Sequence, residues 1–387
     1  MLNFDNTEIA FSSKSNAELK KAYWLFKMVG SNALVKFGKS FTHLAFQIGL
    51  PIKTIVKATI FKQFCGGESI NDCSVAIQNL SKYNVGTILD YSVEGKESDE
   101  NFEHTAQEII ATILKAKGKK EIPFSVFKVT GIAKFSVLEK VNAQEKLTEE
   151  EQKSFDQTCL RIEKICRTAF ENDVKIFIDA EESWIQDCID NLAEQMMIKF
   201  NQSKVIVYNT LQMYRHDRLE FLKKSFEKAQ QGNYFLGVKI VRGAYMEKER
   251  LRASEKNYPS PIQKDKLSTD ADYNAAITFS IENIDRIAIC AGTHNEESSL
   301  QLAQLLQQKG IDKNHPHVFF AQLLGMSDHI SFNLAKENFN VAKYVPYGPV
   351  KEVLPYLIRR AEENTSVAGQ TSRELGLLTK EIKRRKI

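Results

Sequence analysis

Hydrophobic and polar positions follow two different patterns along this chain. Through residues 1–82, apolar residues recur at helical spacing among polar ones, with few breakers besides Gly49-Leu50-Pro51 and Gly66-Gly67. That spacing predicts a helical N-terminal segment. From residue 83 the pattern changes to short apolar runs, each followed by a longer amphipathic stretch. The runs are Val85–Val93, Phe124–Val129, Val174–Asp179, Lys204–Tyr208, Leu236–Val241, Arg286–Cys290, His317–Phe320 and Val341–Val345. Short runs rich in Val and Ile read as strands, and the segments between them are long enough for crossover helices. Thr148-Glu149-Glu150-Glu151 is a capping-box pattern that opens one such helix, running toward Phe170.

Eight strands alternating with helices is the count of a (β/α)8 TIM barrel. An open doubly wound sheet is the competing α/β arrangement. The chain contains neither G-x-G-x-x-G nor G-x-x-x-x-G-K-[ST], the usual nucleotide signatures of the open sheet, so the barrel is the expected fold. The expected domains are an N-terminal helical arm (1–82), a barrel (83–370) and a basic C-terminal tail (371–387).

Barrel enzymes build their sites at the carboxyl ends of the strands. Here those ends carry Asp90–Glu94, Lys128-Val129-Thr130-Gly131, Asp179–Glu182, Asn209–Gln212, Arg242–Tyr245, Gly292–Asn295, Gln322–Gly325 and Tyr344–Gly348. Polar groups converge there, and so do Gly243, Gly292, Gly325 and Gly348. Solvated loops would explain each end singly, but the convergence predicts an active site.

Lys128 and Lys239 stand inside apolar runs, where an unpaired ammonium is costly to bury. Along the fifth run, Lys239, Val241, Gly243 and Tyr245 share one face by the two-residue period. If that face is the lumen, Lys239 points a cation into it; a structural ion pair with Asp179 or Glu94 is an equal reading. Beyond the last run, Tyr356, Arg359, Arg360 and Glu363 recur at spacings of three and four on a predicted helix. Two adjacent arginines beneath a tyrosine suit a carboxylate, although a solvated face with an Arg359–Glu363 pair explains them as well.

Composition narrows the picture further. In 387 residues, Lys and Arg number 53 against 49 Asp and Glu, a net charge of +4 that gives no field suited to a nucleic-acid partner. Gly and Pro total 18 and 8, which excludes collagen-like and Pro/Gly-rich disordered classes. The six cysteines show no C-x-x-C and no metal-ligand spacing, so reduced, packed thiols and no metal are expected. His315-x-His317 resembles a metal pair but precedes the seventh run, at the end of the barrel away from the expected site. The first residues lack a secretory or transit signal, and no apolar run reaches the ~18 residues of a membrane span, so the expectation is a cytoplasmic protein. The basic run Lys380–Lys386 is read as solvated, with contact at a membrane surface as the alternative.

At its strand ends the chain resembles the proline dehydrogenase family over about Asn84 to Val367. The resemblance is carried by YNTLQMYRHD (208–217), GVKIVRGAYMEKER (237–250), GTHN (292–295), QLLGMSDH (322–329) and YVPYGPVKEVLPYLIRRAEEN (344–364). It implies a distorted (β/α)8 barrel with the last helix over its mouth. It also implies non-covalent FAD and oxidation of L-proline to Δ1-pyrroline-5-carboxylate, by hydride transfer to flavin N5. Lys128 and Asp179 match the family's active-site lysine and aspartate, and Tyr245, Tyr344 and Tyr356 match tyrosines around the substrate ring. Arg359 and Arg360 match the pair that clamps the carboxylate, and Glu94 matches the residue that closes the site on one arginine. Flavin contacts are implied for Gln212, Lys239, Val241, Arg242, Gly243, Ala244, Thr293, His294, Asn295, Gln322 and Glu363, with Thr269 and Asp270 near the adenosine. Many bacterial members read R-L-V-K-G-A-Y where this chain reads Lys239-Ile-Val-Arg242-Gly-Ala-Tyr245, so the cation near the flavin is a lysine here. A tyrosine at 344 is associated in the family with proline over hydroxyproline; a hydroxyproline dehydrogenase on the same fold is the alternative. The resemblance further implies a membrane quinone as electron acceptor, transient contact with that membrane, and a separate pyrroline-5-carboxylate dehydrogenase downstream.

Overall fold

The structure, a computed structural model, describes residues 2–29, 53–93, 97–366 and 370–387. Eight strands follow one another in chain order and close into a barrel. They are β1 (Val85–Tyr91), β2 (Phe124–Phe127), β3 (Lys175–Ile178), β4 (Val207–Gln212), β5 (Leu236–Val241), β6 (Ile287–Gly292), β7 (Val318–Leu323) and β8 (Val341–Tyr347). Helices separate successive strands, as the alternating pattern predicts. The helix Glu149–Glu171 opens on Thr148 with both hydrogen bonds of the capping box present.

By compactness the chain divides into two units, residues 1–94 with 322–387 and residues 95–321. In the second unit, parallel pairs run from β2 to β7 without interruption. The floor of this unit is aromatic: Phe124 and Phe177 stack with centroids 4.3 Å apart, and Tyr208 and Phe319 pack edge-on against Phe124. Such pairs add about 0.5–1.5 kcal/mol each beyond their burial.

In the first unit, β1 and β8 pair in parallel from Val85↔Val341 to Tyr91↔Tyr347. The region read as a basic tail forms a helix, Gln370–Arg385. Its Leu377 and Leu378 are buried with Ala10, Phe11, Leu19, Ala22 and Phe26 of the N-terminal helices. Arg385 donates to the carbonyls of Phe11 and Lys14, both at 2.8 Å, and Arg384 and Arg385 flank the fully buried Glu381 at 2.8 and 2.7 Å. These basic residues are therefore committed to partners of the same unit.

One strand departs from the sequence pattern. The fourth run was expected at Lys204–Tyr208, whereas β4 spans Val207–Gln212. The amide of Asn201 accepts from the N–H groups of Ile206 and Val207 at 2.9 Å and donates to the Val207 carbonyl at 2.8 Å. The backbone entering β4 is thus paired with a side chain, and ladder pairing continues through Asn209, Thr210 and Gln212.

Candidate functional site

Within the unit of residues 95–321, the carboxyl ends of β2 to β6 carry a connected set of polar groups. Lys239 lies on β5 and is 5% exposed; Asp179, just past β3, is 8% exposed. The two form a buried ion pair, and the Lys239 ammonium sits 5.0 Å from the centroid of the Phe177 ring. The Asp179 N–H donates to the Phe127 carbonyl at 2.9 Å, so the aspartate is held against the end of β2. Lys128 follows β2, where its carbonyl accepts from Gly131 N–H at 3.2 Å and closes a short turn.

Glu181, two residues past Asp179 and not singled out by sequence reasoning, is buried as well. Its carboxylate accepts from the Thr130 N–H at 3.0 Å and from the Thr130 hydroxyl. Burial pushes its pKa up to about 7, against the pull of the Thr130 hydrogen bonds and the Lys128 charge. The available signal was its place in the Asp179–Glu182 run at a strand end.

Gln212 donates to the Glu181 carbonyl at 2.7 Å and accepts from the Ala244 N–H at 3.1 Å. Gly243 stands at φ 135°, and a Cβ there would lie 2.5 Å from the Tyr214 ring. Only glycine takes that turn without strain. It leaves Gly243 and Ala244 exposed while Val241 and Tyr245 are half-buried.

Arg242 is fixed from three sides. It donates to Asp270 at 2.7 Å, to the Thr293 hydroxyl at 2.6 Å and to the Ser298 hydroxyl at 3.0 Å, and it lies 4.5 Å over the Tyr273 ring. Burial raises the Asp270 carboxyl, but bonds from Lys266 and Arg242 outweigh it and hold the pKa below the ordinary value. Asn295 caps the helix Glu296–Gln308 by accepting from Ser298 N–H at 2.8 Å, so its side chain is committed to the cap. Thr269 is buried, and His294 is half-buried at the end of β6.

In the other unit, Tyr344 on β8 and Tyr356 on the helix Val350–Ser366 are buried at 9% and 6% exposure. Tyr356 packs with Phe61, Phe64, Met326 and Val353. The side chain of Gln322 accepts from the Ser331 hydroxyl at 2.7 Å. Gly348, at φ 145°, has Val93 and Val353 within 3 Å of where a Cβ would lie. Glu94 lies outside the described residues. Arg359, Arg360 and Glu363 fall in the helix Val350–Ser366, and their side chains lie outside what is described.

A closed parallel barrel with buried lysine–aspartate chemistry at its strand ends belongs to the (β/α)8 enzymes, whose reactions are set by those ends. Within that class the chain belongs to the proline dehydrogenase family, whose model matches residues 73–373. It is 35% identical to proline dehydrogenase 1, mitochondrial, of Dictyostelium discoideum, over 99% of this chain and 75% of that protein. It is 33% identical to proline dehydrogenase 1, mitochondrial, of Arabidopsis thaliana, over 86% of this chain and 75% of that one. The hydroxyproline dehydrogenase of Xenopus laevis is 29% identical over 97% of this chain and 88% of its own length. Among solved structures, proline utilization A of Bdellovibrio bacteriovorus superposes with a TM-score of 0.74 at 20% identity. That alignment covers 93% of this chain and 38% of the longer protein, and at this identity it speaks for the fold.

Proposed function

We propose that this protein oxidises L-proline to Δ1-pyrroline-5-carboxylate with FAD as its cofactor. The observation that carries the reading is the buried Lys239–Asp179 pair at the barrel's strand ends, in a chain of the proline dehydrogenase family. The donor set fits a flavin. Exposed backbone at Gly243-Ala244 can approach a ligand closely, and Lys239, Arg242, Gln212, Thr293 and His294 would supply the cations and polar partners an isoalloxazine and its ribityl-phosphate chain require, with Asn295 offering its backbone beside the helix cap. Val241 would pack on the ring, Thr269 and Asp270 would meet the adenosine, and Gln322 and Glu363 would complete the contacts. When bound, FAD would supply the acceptor for the hydride equivalent, two electrons and one proton, that leaves the ring carbon next to the nitrogen, while the nitrogen's proton goes to solvent.

The protein's own residues bind and orient the substrate. Arg359 and Arg360 clamp the carboxylate, with Glu94 closing on one arginine, and a bidentate clamp converts binding into proximity. Tyr245, Tyr344 and Tyr356 form walls for the pyrrolidine ring, while Lys128 and Asp179 set the charge around it. Tyr344 crowds the far carbon of the ring, which favours proline over hydroxyproline. The electrons pass to a membrane quinone at the bilayer surface, and the product goes to a separate dehydrogenase. Among the described residues no helix is long and apolar enough to cross a membrane.

The test is spectroscopic. Purified protein is expected to be yellow, and anaerobic proline should bleach its flavin band faster than hydroxyproline does. A colourless protein that FAD cannot reconstitute would overturn the cofactor. A preference for hydroxyproline would overturn the role given to Tyr344.

A further inference from the structure

Glu181 is 3% exposed, and every polar group it owns is used within its own compact unit. Its carboxylate holds Thr130 twice, at the backbone N–H (3.0 Å) and at the hydroxyl. Its N–H donates to the Gln186 side chain at 2.8 Å. Its carbonyl accepts from Gln212 at 2.7 Å, and Gln212 in turn accepts from Ala244 N–H at 3.1 Å. One residue therefore links the turn after Lys128, the segment after Asp179, the end of β4 and the Gly243-Ala244-Tyr245 turn.

We propose that Glu181 is a positioning residue for the oxidation, locking the Lys128 turn to the Gln212–Ala244 bridge so that Lys128, Asp179 and Tyr245 keep one arrangement. The inference deepens the function proposed above and rests on it. A role as proton acceptor is less consistent with the geometry, because both carboxylate oxygens already face Thr130. The lock also survives a change of charge. Ionised, the carboxylate accepts two hydrogen bonds; protonated, it keeps the Thr130 N–H and donates its own proton to the Thr130 oxygen. The charged groups that act on it are Lys128, from the end of β2, and Glu182, from its own segment. A glutamine reproduces the protonated pattern with its carbonyl and amide, whereas an alanine removes it.

The test compares Glu181→Gln, Glu181→Ala and Thr130→Val with the wild-type chain in two readouts. In FAD-reconstituted, substrate-free protein, hydrogen exchange is followed in peptides covering 128–131 and 242–245. In steady-state kinetics with proline, KM and kcat are read separately. Glu181→Ala is expected to speed exchange in both segments and lower kcat/KM on the order of 10–100-fold, as displacements of about 1 Å do at a reacting centre. Thr130→Val should do the same in milder form, and Glu181→Gln should restore both readouts close to wild type. Two results would overturn the proposal: wild-type exchange at 242–245 in Glu181→Ala, or a glutamine variant as impaired as the alanine one. If Glu181→Ala does not fold, Thr130→Val carries the same comparison. If wild-type protein fails to oxidise proline while exchange responds as described, the proposed function falls and the lock stands.

Discussion

At the scale of single residues, the Lys239–Asp179 pair does two things that spacing alone left as alternatives. The lysine stands on a barrel strand among apolar neighbours, and it is also paired. Removing one member of a buried pair leaves the other charge uncompensated, which costs about 3–5 kcal/mol, whereas removing both costs far less. Lys239→Met alone should therefore destabilise the FAD-free protein by that amount in urea denaturation, and Lys239→Met with Asp179→Asn should recover most of it. Two additive losses would mean that the charges do not face each other in solution. Sequence reasoning reached both members of this pair because each interrupts or ends an apolar run. It passed over Glu181 because Asp179-Ala180-Glu181-Glu182 presents three carboxylates in four positions, and only the fold shows which of them meets Thr130.

At the scale of elements, the strands with continuous Val and Ile were legible and the one with a polar core was not. β5 was expected and found at Leu236–Val241, while β4 begins three residues later than its apolar run. Its Asn209, Thr210 and Gln212 are each under 4% exposed, so burial in a parallel strand conceals polar residues that a hydrophobic pattern assigns to a loop. The turn after β5 was legible for a different reason. Glycine is scarce in this chain, and Gly243 falls where the backbone requires φ 135° beside Tyr214. Gly243→Ala is expected to cost on the order of 1–3 kcal/mol in backbone strain. The Cβ also has to displace the Tyr214 ring from 2.5 Å, which shifts Ala244 off Gln212. Titrating FAD into the variant should show weakened binding, with a lowered melting temperature in its absence; unchanged FAD affinity would remove this turn from the cofactor site.

At the scale of the whole molecule, each compact unit holds a buried carboxyl group whose titration bears on stability, Asp328 in one and Glu181 in the other, and these two act with opposite signs. In the unit of residues 1–94 and 322–387, Asp328 accepts from Lys343 at 2.9 Å and from Lys14 at 3.1 Å, and Lys343 is fully buried. Burial alone would raise the Asp328 carboxyl, but the two ammonium groups outweigh it and hold its pKa well below the ordinary carboxylate range. A depressed pKa contributes stability that is present above the ordinary value and is lost as the pH falls below about 4. In the unit of residues 95–321, burial raises Glu181 from 4.5 to about 7. A raised carboxyl favours the folded state while it is protonated, so its contribution is full below 4.5 and is lost as the pH rises to about 7. The slope through that window is at most about 1.4 kcal/mol per pH unit for one group. Thermal melts from pH 3 to 8 on wild type, Asp328→Asn and Glu181→Gln separate the two terms. Glu181→Gln should lose little at pH 5 and should gain on wild type as the pH rises toward 8, because a neutral amide has no ionisation to oppose. Asp328→Asn should be destabilised by about 3–5 kcal/mol at neutral pH, where Lys343 is left buried without its carboxylate, and should approach wild type in acid. Parallel curves for wild type and Glu181→Gln across pH 5 to 8 would place the ionisation of Glu181 in its ordinary range and contradict its burial against Thr130.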